Sequence, residues 1–100
     1  MTLKELEIKY TGQAVNEEKI SETFTYMGKF GRVIIYMFTF ETERSVVRTE
    51  VCLKAGKIIG FTPEKEPLQD IWGFTAEDYT EEVTEEEAAR INLYLASVLA

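Results

Sequence analysis

Val33-Ile34-Ile35-Tyr36-Met37-Phe38-Thr39-Phe40 decides the fold. The run is apolar almost throughout and rich in β-branched and aromatic residues, the composition of a central strand. Side chains alternate across a strand, so Ile34, Tyr36, Phe38 and Phe40 form one set and Val33, Ile35 and Met37 the other. Both sets are apolar, and both faces of the strand therefore call for cover.

Working outward, Glu41-Thr42-Glu43-Arg44 turns the chain into a second strand over about residues 45–54. There Val47, Thr49, Val51 and Leu53 alternate with Arg48, Glu50 and Cys52. Lys54-Ala55-Gly56-Lys57 reads as a tight hairpin, with Gly where φ > 0 is wanted. Ile58 to Phe61 follows as a short strand stopped by Pro63.

On the other side, Gly28-Lys29-Phe30-Gly31 reads as a short connection. It leads back to a strand predicted over about 20–28, with Phe24 and Tyr26 on one side and Thr23, Thr25 and Met27 on the other. Before it, Asn16 to Lys19 reads as a polar turn. Leu6, Ile8 and Tyr10 alternate with Glu5, Glu7 and Lys9, which predicts a first strand over about 3–11, extending to Ala14 and Val15. Short connections between successive strands imply antiparallel neighbours.

Residues 63–82 are the least regular. Pro63, Pro67 and Gly73 argue for a long loop, which nevertheless carries Leu68, Ile71, Trp72, Phe74 and Tyr79. A helix is predicted over about 84–99. Thr84 and Glu87 form a capping-box pattern, and Ala88, Ile91, Leu95 and Val98 recur at spacings of three and four. Ala89, Leu93, Ala96 and Ala100 mark a second apolar face.

The expected fold is α+β: a curved antiparallel β-meander of four or five strands with a C-terminal helix packed on one face. It would form one domain over 1–100, comprising a meander (1–62), an acidic aromatic loop (63–82) and the helix (83–100). A chain of this length buries about two-thirds of its unfolded surface, enough for one core without staples. Five strands at about 4.8 Å make a sheet roughly 24 Å wide, whereas one helix is about 10–12 Å across. One helix therefore covers half of one face. Curling of the sheet, the 63–82 loop or a second copy of the chain would have to cover the other.

Charge is sorted along the chain. Glu64 to Glu87 holds ten acids and one base, Lys65, in a protein of net charge −7. Such a segment selects partners by sign. It argues against direct nucleic-acid contact, which needs clustered Lys and Arg, and against anionic membranes. Charges near the N-terminus stand where a signal peptide needs an apolar stretch, and the longest apolar run, Val33 to Phe38, is far short of the roughly 20 residues of a membrane span. The lone Cys52 permits no internal disulfide, and a cytoplasmic location is expected.

The residue inventory narrows the chemistry. There is no histidine, hence no Ser-His or Cys-His nucleophile pair. One cysteine excludes zinc-ribbon and CxxC chemistry, and no glycine pattern matches a phosphate-binding loop. Carboxylates remain, and a small carboxylate enzyme would need two of Asp70, Glu77 and Asp78 in one cleft. The expectation is a protein without cofactor or metal that is not an enzyme.

Two functional readings follow. In the first, an acidic loop and helix N-terminus dock on a basic protein surface through Trp72, Phe74, Asp78, Glu81, Glu82, Glu85 and Glu86, with Trp72 as anchor. A basic groove on a nucleic-acid-binding protein is one such target, which would make the chain an inhibitor imitating phosphate charge. In the second, an apolar ligand fills a pocket between sheet and helix lined by Phe24, Tyr26, Tyr36 and Phe38.

Overall fold

The computed structural model of the chain describes residues 1–67 and 82–100. The elements run α1 (Leu3–Tyr10), α2 (Glu17–Thr23), β1 (Thr25–Phe30), β2 (Val33–Glu41), β3 (Ser45–Lys54), β4 (Lys57–Pro67) and α3 (Glu85–Ser97). The four strands form one antiparallel sheet in the order β1-β2-β3-β4. This is an α+β fold with the expected meander, interior apolar strand and C-terminal helix.

The N-terminal third departs from expectation. Leu3–Tyr10 form a helix where a strand is expected over 3–11. Leu3, Leu6 and Tyr10 share a helical face as well as Leu6, Ile8 and Tyr10 share a strand face, and packing selects the former. Leu6 and Tyr10 are fully buried, whereas Ile8 is 75% exposed. The Thr2 hydroxyl caps the helix by accepting the Glu5 N–H at 3.2 Å.

The 16–19 turn is in fact the start of α2. The Asn16 side chain accepts the Lys19 N–H at 3.0 Å, and Ile20 and Phe24 face the core four residues apart. The strand expected over 20–28 therefore begins only at Thr25, and it runs through the predicted connection to Phe30. Between α1 and α2, residues 12–16 are stitched between β4 and the chain's C-terminal end, with Ala14 and Val15 bridged to Lys57 and Leu99. The Gly12 N–H donates to the Ile58 carbonyl at 2.7 Å, the Asn16 N–H to the Val98 carbonyl at 2.7 Å and the Ala100 N–H to the Ala14 carbonyl at 3.0 Å.

Pro63 does not end the last strand, which continues to Pro67. β4 lies at the sheet edge, where a residue without an N–H is tolerated because one side of the strand has no ladder to feed. The β3–β4 hairpin holds Ala55 and Gly56 at φ +52° and +74°, the paired left-handed residues of the turn that matches strand twist.

All the helices among the described residues serve one sheet face. Phe38 and Phe40 of β2, Val47, Val51 and Leu53 of β3, and Ile58 and Phe61 of β4 are buried there with Ala88, Ile91, Leu95 and Val98 of α3. α1 joins them through Leu6 and Tyr10, whose hydroxyl donates to the Asn92 Oδ1 at 2.5 Å. Two added helices thus extend the cover of the inner face beyond what one could reach, leaving Ile34 and Tyr36 half-buried.

Thr49 sits in this core, fully buried, and its hydroxyl has no hydrogen-bond partner among the described residues. An unpaired buried hydroxyl costs about 1–3 kcal/mol. Thr49→Val keeps the shape and removes the orphan. A chemical denaturation series should therefore show the variant more stable by about 1 kcal/mol.

Candidate functional site

The acidic segment ends at the N-terminus of α3, where neighbouring glutamates point in different directions. Thr84 is the N-cap, in extended conformation. Its hydroxyl accepts the Glu87 N–H at 3.2 Å, and its own N–H donates to the Glu87 Oε1 at 2.9 Å. This closed capping box satisfies two orphan donors at the helix start.

The box turns Glu87 inward, where only 3% of it is exposed. Lys65, on the inner face of β4, meets Glu87 Oε1 at 2.7 Å, and the side chains of the pair are 5% and 4% exposed. The Ser45 hydroxyl donates to Glu87 Oε2 at 2.6 Å. That commits the only Ser45 proton, so the Thr42 hydroxyl, 2.8 Å away, is the donor to Ser45 Oγ. Lys65 also donates to the Glu82 carbonyl. One buried network therefore pins α3 to β4 and to the β2–β3 turn.

Burial is the largest influence on the Glu87 carboxyl and pushes its pKa up. The hydrogen bonds from Lys65, Ser45 and Thr84, together with the Lys65 charge, outweigh it and hold the group below the ordinary glutamate range.

Glu82, Glu85 and Glu86 are exposed, and none forms a salt bridge among the described residues. They share one end of the molecule with Glu41, Glu43, Glu64 and Glu66, which are also exposed. The register shows why: Glu41 pairs with Val46, and Val46 with Glu66. α3 is held at that same end by the Glu87–Ser45 bond and by Arg90, which donates to the Glu41 carbonyl at 3.3 Å and lies over the Phe40 ring. The bases there are mostly committed. Arg48 pairs with Glu66 at 2.6 Å, and Lys65 is buried with Glu87.

The far end carries the opposite sign. Lys54 pairs with Val33 on one side and Lys57 on the other, with Lys29 and Arg32 beside them in β1 and its turn. Among the described residues, acids and bases thus gather at opposite ends of the sheet.

Of the seven site residues expected from sequence, the structure brings Glu82, Glu85 and Glu86 together. Trp72, Phe74, Asp78 and Glu81 lie outside the described residues, as do Asp70 and Glu77. Sequence reading counted Glu87 among the acids of the charged helix start and did not find its partners Lys65, Ser45 and Thr42. The available signal was Lys65 itself, the lone base in a run of ten acids.

The four rings expected to line a ligand pocket take different roles. Phe24 and Phe38 are buried with ring centroids 4.9 Å apart, and Phe38 stacks on Tyr94 at 4.5 Å. Tyr26 is 57% exposed and meets Tyr36 edge to face. A cavity of about 120 Å³ opens between α2 and the sheet, lined by Ile20, Ile34, Tyr36 and Leu53 among others. Drug-sized ligands occupy roughly 300–1,000 Å³. No helix among the described residues is long and apolar enough to cross a membrane. Set against protein-family models, curated proteins and solved structures, the chain matches none of them.

Proposed function

We propose that this protein acts by contact, presenting the acidic surface at the N-terminus of α3 to a basic protein partner. The carrying observation is the division of labour among the glutamates. Glu87 anchors the helix start through a buried network, while Glu82, Glu85 and Glu86 are exposed and form no salt bridge among the described residues. A rigid support lets such charges recognise a complementary surface without first being ordered. A basic groove that normally holds phosphate is one partner class of this chemistry, and occupying it would inhibit a nucleic-acid-binding protein.

The test uses fluorescence anisotropy with a panel of arginine-rich peptides and basic nucleic-acid-binding proteins. Binding should weaken steeply between low and high salt, as screened charges require. Reversing Glu82, Glu85 and Glu86 to lysine should lower affinity by about a hundredfold or more. A control reverses Glu5, Glu7 and Glu18, which are exposed on α1 and α2. Equal weakening by both triple variants would mean that net charge alone attracts the probes, and the reading would fail.

A further inference from the structure

Four bases that are scattered in the sequence meet at one end of the sheet. Lys29 and Arg32 belong to β1 and its turn, and Lys54 and Lys57 flank the β3–β4 turn. All four are exposed, and none forms a salt bridge among the described residues. Phe30, 69% exposed, stands among them on the sheet face turned away from the helices. We propose that this end of that face binds single-stranded nucleic acid, one base stacking on Phe30 and the phosphates meeting Arg32, Lys54 and Lys57.

Three observations select this partner. First, the ring and the bases lie in line. In register, Phe30 pairs with Val33, Val33 with Lys54, and Lys54 with Lys57, which makes one row across the four strands. At about 4.8 Å per strand the row spans roughly 14 Å, a length that a stacked single strand covers with about four nucleotides at about 3.4 Å each. Lys54 and Lys57 stand directly opposite one another, where like charges work against a sheet. No described acid pairs with either, and a chain of phosphates would relieve the repulsion.

Second, the ring is laid down as a platform. Phe30 Cε2 stands 3.6 Å from where a Cβ would lie on Gly28, so the ring leans along the sheet over the glycine instead of projecting from it. A ring held flat with one side open suits a nucleic-acid base, because every base has a π-face to stack on it. A membrane calls for a ring that projects into lipid, and an acidic peptide offers the ring no flat partner. A four-stranded sheet with its helices on one side and an aromatic exposed on the other is one general way in which proteins hold single strands.

Third, the acidic end of the sheet does not cancel this field. From Val33 to Glu41 the chain runs about 26 Å along β2, roughly three Debye lengths at physiological salt. Two acids lie nearer. Glu50 sits two rows on, in register with Met37 and Thr62, and the Glu17 carboxylate reaches Gly56 from α2, 3.8 Å from where a Cβ would lie. The four bases outnumber them. Glu82, Glu85 and Glu86 stand at the other end of the molecule, so this inference does not depend on the proposed function.

The experiment is fluorescence anisotropy of the whole chain with labelled oligothymidine and oligouridine. Binding should appear at low salt, and log K should fall with log salt at a slope of about −2, as three phosphate contacts require. Lys54→Gln with Lys57→Gln should weaken binding by about tenfold or more and flatten the slope to about −0.7, with circular dichroism unchanged. Phe30→Ala should weaken it by about tenfold with the slope unchanged, and Phe30→Trp should restore it. Lys4→Gln with Arg44→Gln removes exposed bases elsewhere and should stay within about twofold of wild type. No binding by about 100 µM protein at about 20 mM salt would overturn the proposal. Equal weakening by the Lys4 and Arg44 control, or a Phe30→Ala variant that binds as wild type does, would overturn it equally. So would polyglutamate or phosphatidylserine vesicles held as tightly as the oligonucleotides, the patch then answering to negative charge alone or to a membrane.

Discussion

Lys65→Met should destabilise the protein by about 3–5 kcal/mol at neutral pH, a large share of the 5–15 kcal/mol typical of a domain. The side chain removed is 5% exposed, and its ammonium lies 2.7 Å from a carboxylate that is equally enclosed. Without it, Glu87 keeps the Ser45 hydroxyl and the Thr84 N–H but loses its counter-charge. Taking one ion of such a pair away costs far more than the pair contributes.

The pH dependence follows with a definite sign. In the native protein the Glu87 pKa is held below the ordinary glutamate range. Its contribution is therefore present above the ordinary glutamate pKa and lost as the pH falls through the lower, folded one. In Lys65→Met, burial acts with less opposition and raises the same carboxyl. The variant is then penalised while Glu87 is charged and relieved once it is protonated. Urea melts at pH 7 and pH 4 should thus show the gap between wild type and variant narrowing with acid. The double change Lys65→Met with Glu87→Leu should recover much of the loss, because an apolar pair needs no desolvation of charge. A gap independent of pH would show that Lys65 matters for packing of its stem and not for its charge.

Phe38→Ala should cost a further class of stability, about 3–5 kcal/mol. Phe38 is 4% exposed and sits at the centre of a ring cluster, with Tyr94 stacked at 4.5 Å, Phe24 at 4.9 Å and Phe40 at 6.3 Å. Tyr94 belongs to α3, so these rings are what joins the sheet to the helix at mid-length. Truncation removes the transfer energy of the ring, the stacking contacts and the filling of the site, and its neighbours are too rigid to close the gap. For a chain of this size each kcal/mol is worth about 4–8 °C, so the melting temperature should fall by well over 10 °C. Tyr26→Ala offers the contrast. Its ring is 57% exposed with one edge contact, and the loss should stay below about 1 kcal/mol. Comparable losses for both would show that the core is not organised around Phe38.

Where the pattern was legible, one physical signal dominated. β2 could be read because it is a continuous apolar run rich in β-branched and aromatic residues, and β3 because its alternation runs for ten residues. α3 could be read because a capping box and four apolar residues at helical spacing agree with each other. Of the candidate site, Glu82, Glu85 and Glu86 were legible as charge. The inward turn of Glu87 was not, since it depends on a lysine 22 positions earlier and a serine 42 positions earlier in the chain.

By itself, then, the amino-acid order determined the antiparallel meander, the capped C-terminal helix and the segregation of acid from base. These rest on local periodicity and composition, which a short window contains. Only the tertiary structure decided that Leu3–Tyr10 and Glu17–Thr23 are helices. Segments of eight and seven residues fit both periods. The choice between them falls to the packing partner: the core accepts Leu6 with Tyr10, and Ile20 with Phe24, and leaves Ile8 in solvent. The same holds for Glu87, whose burial is stable only because Lys65 and Ser45 arrive from distant strands to meet it.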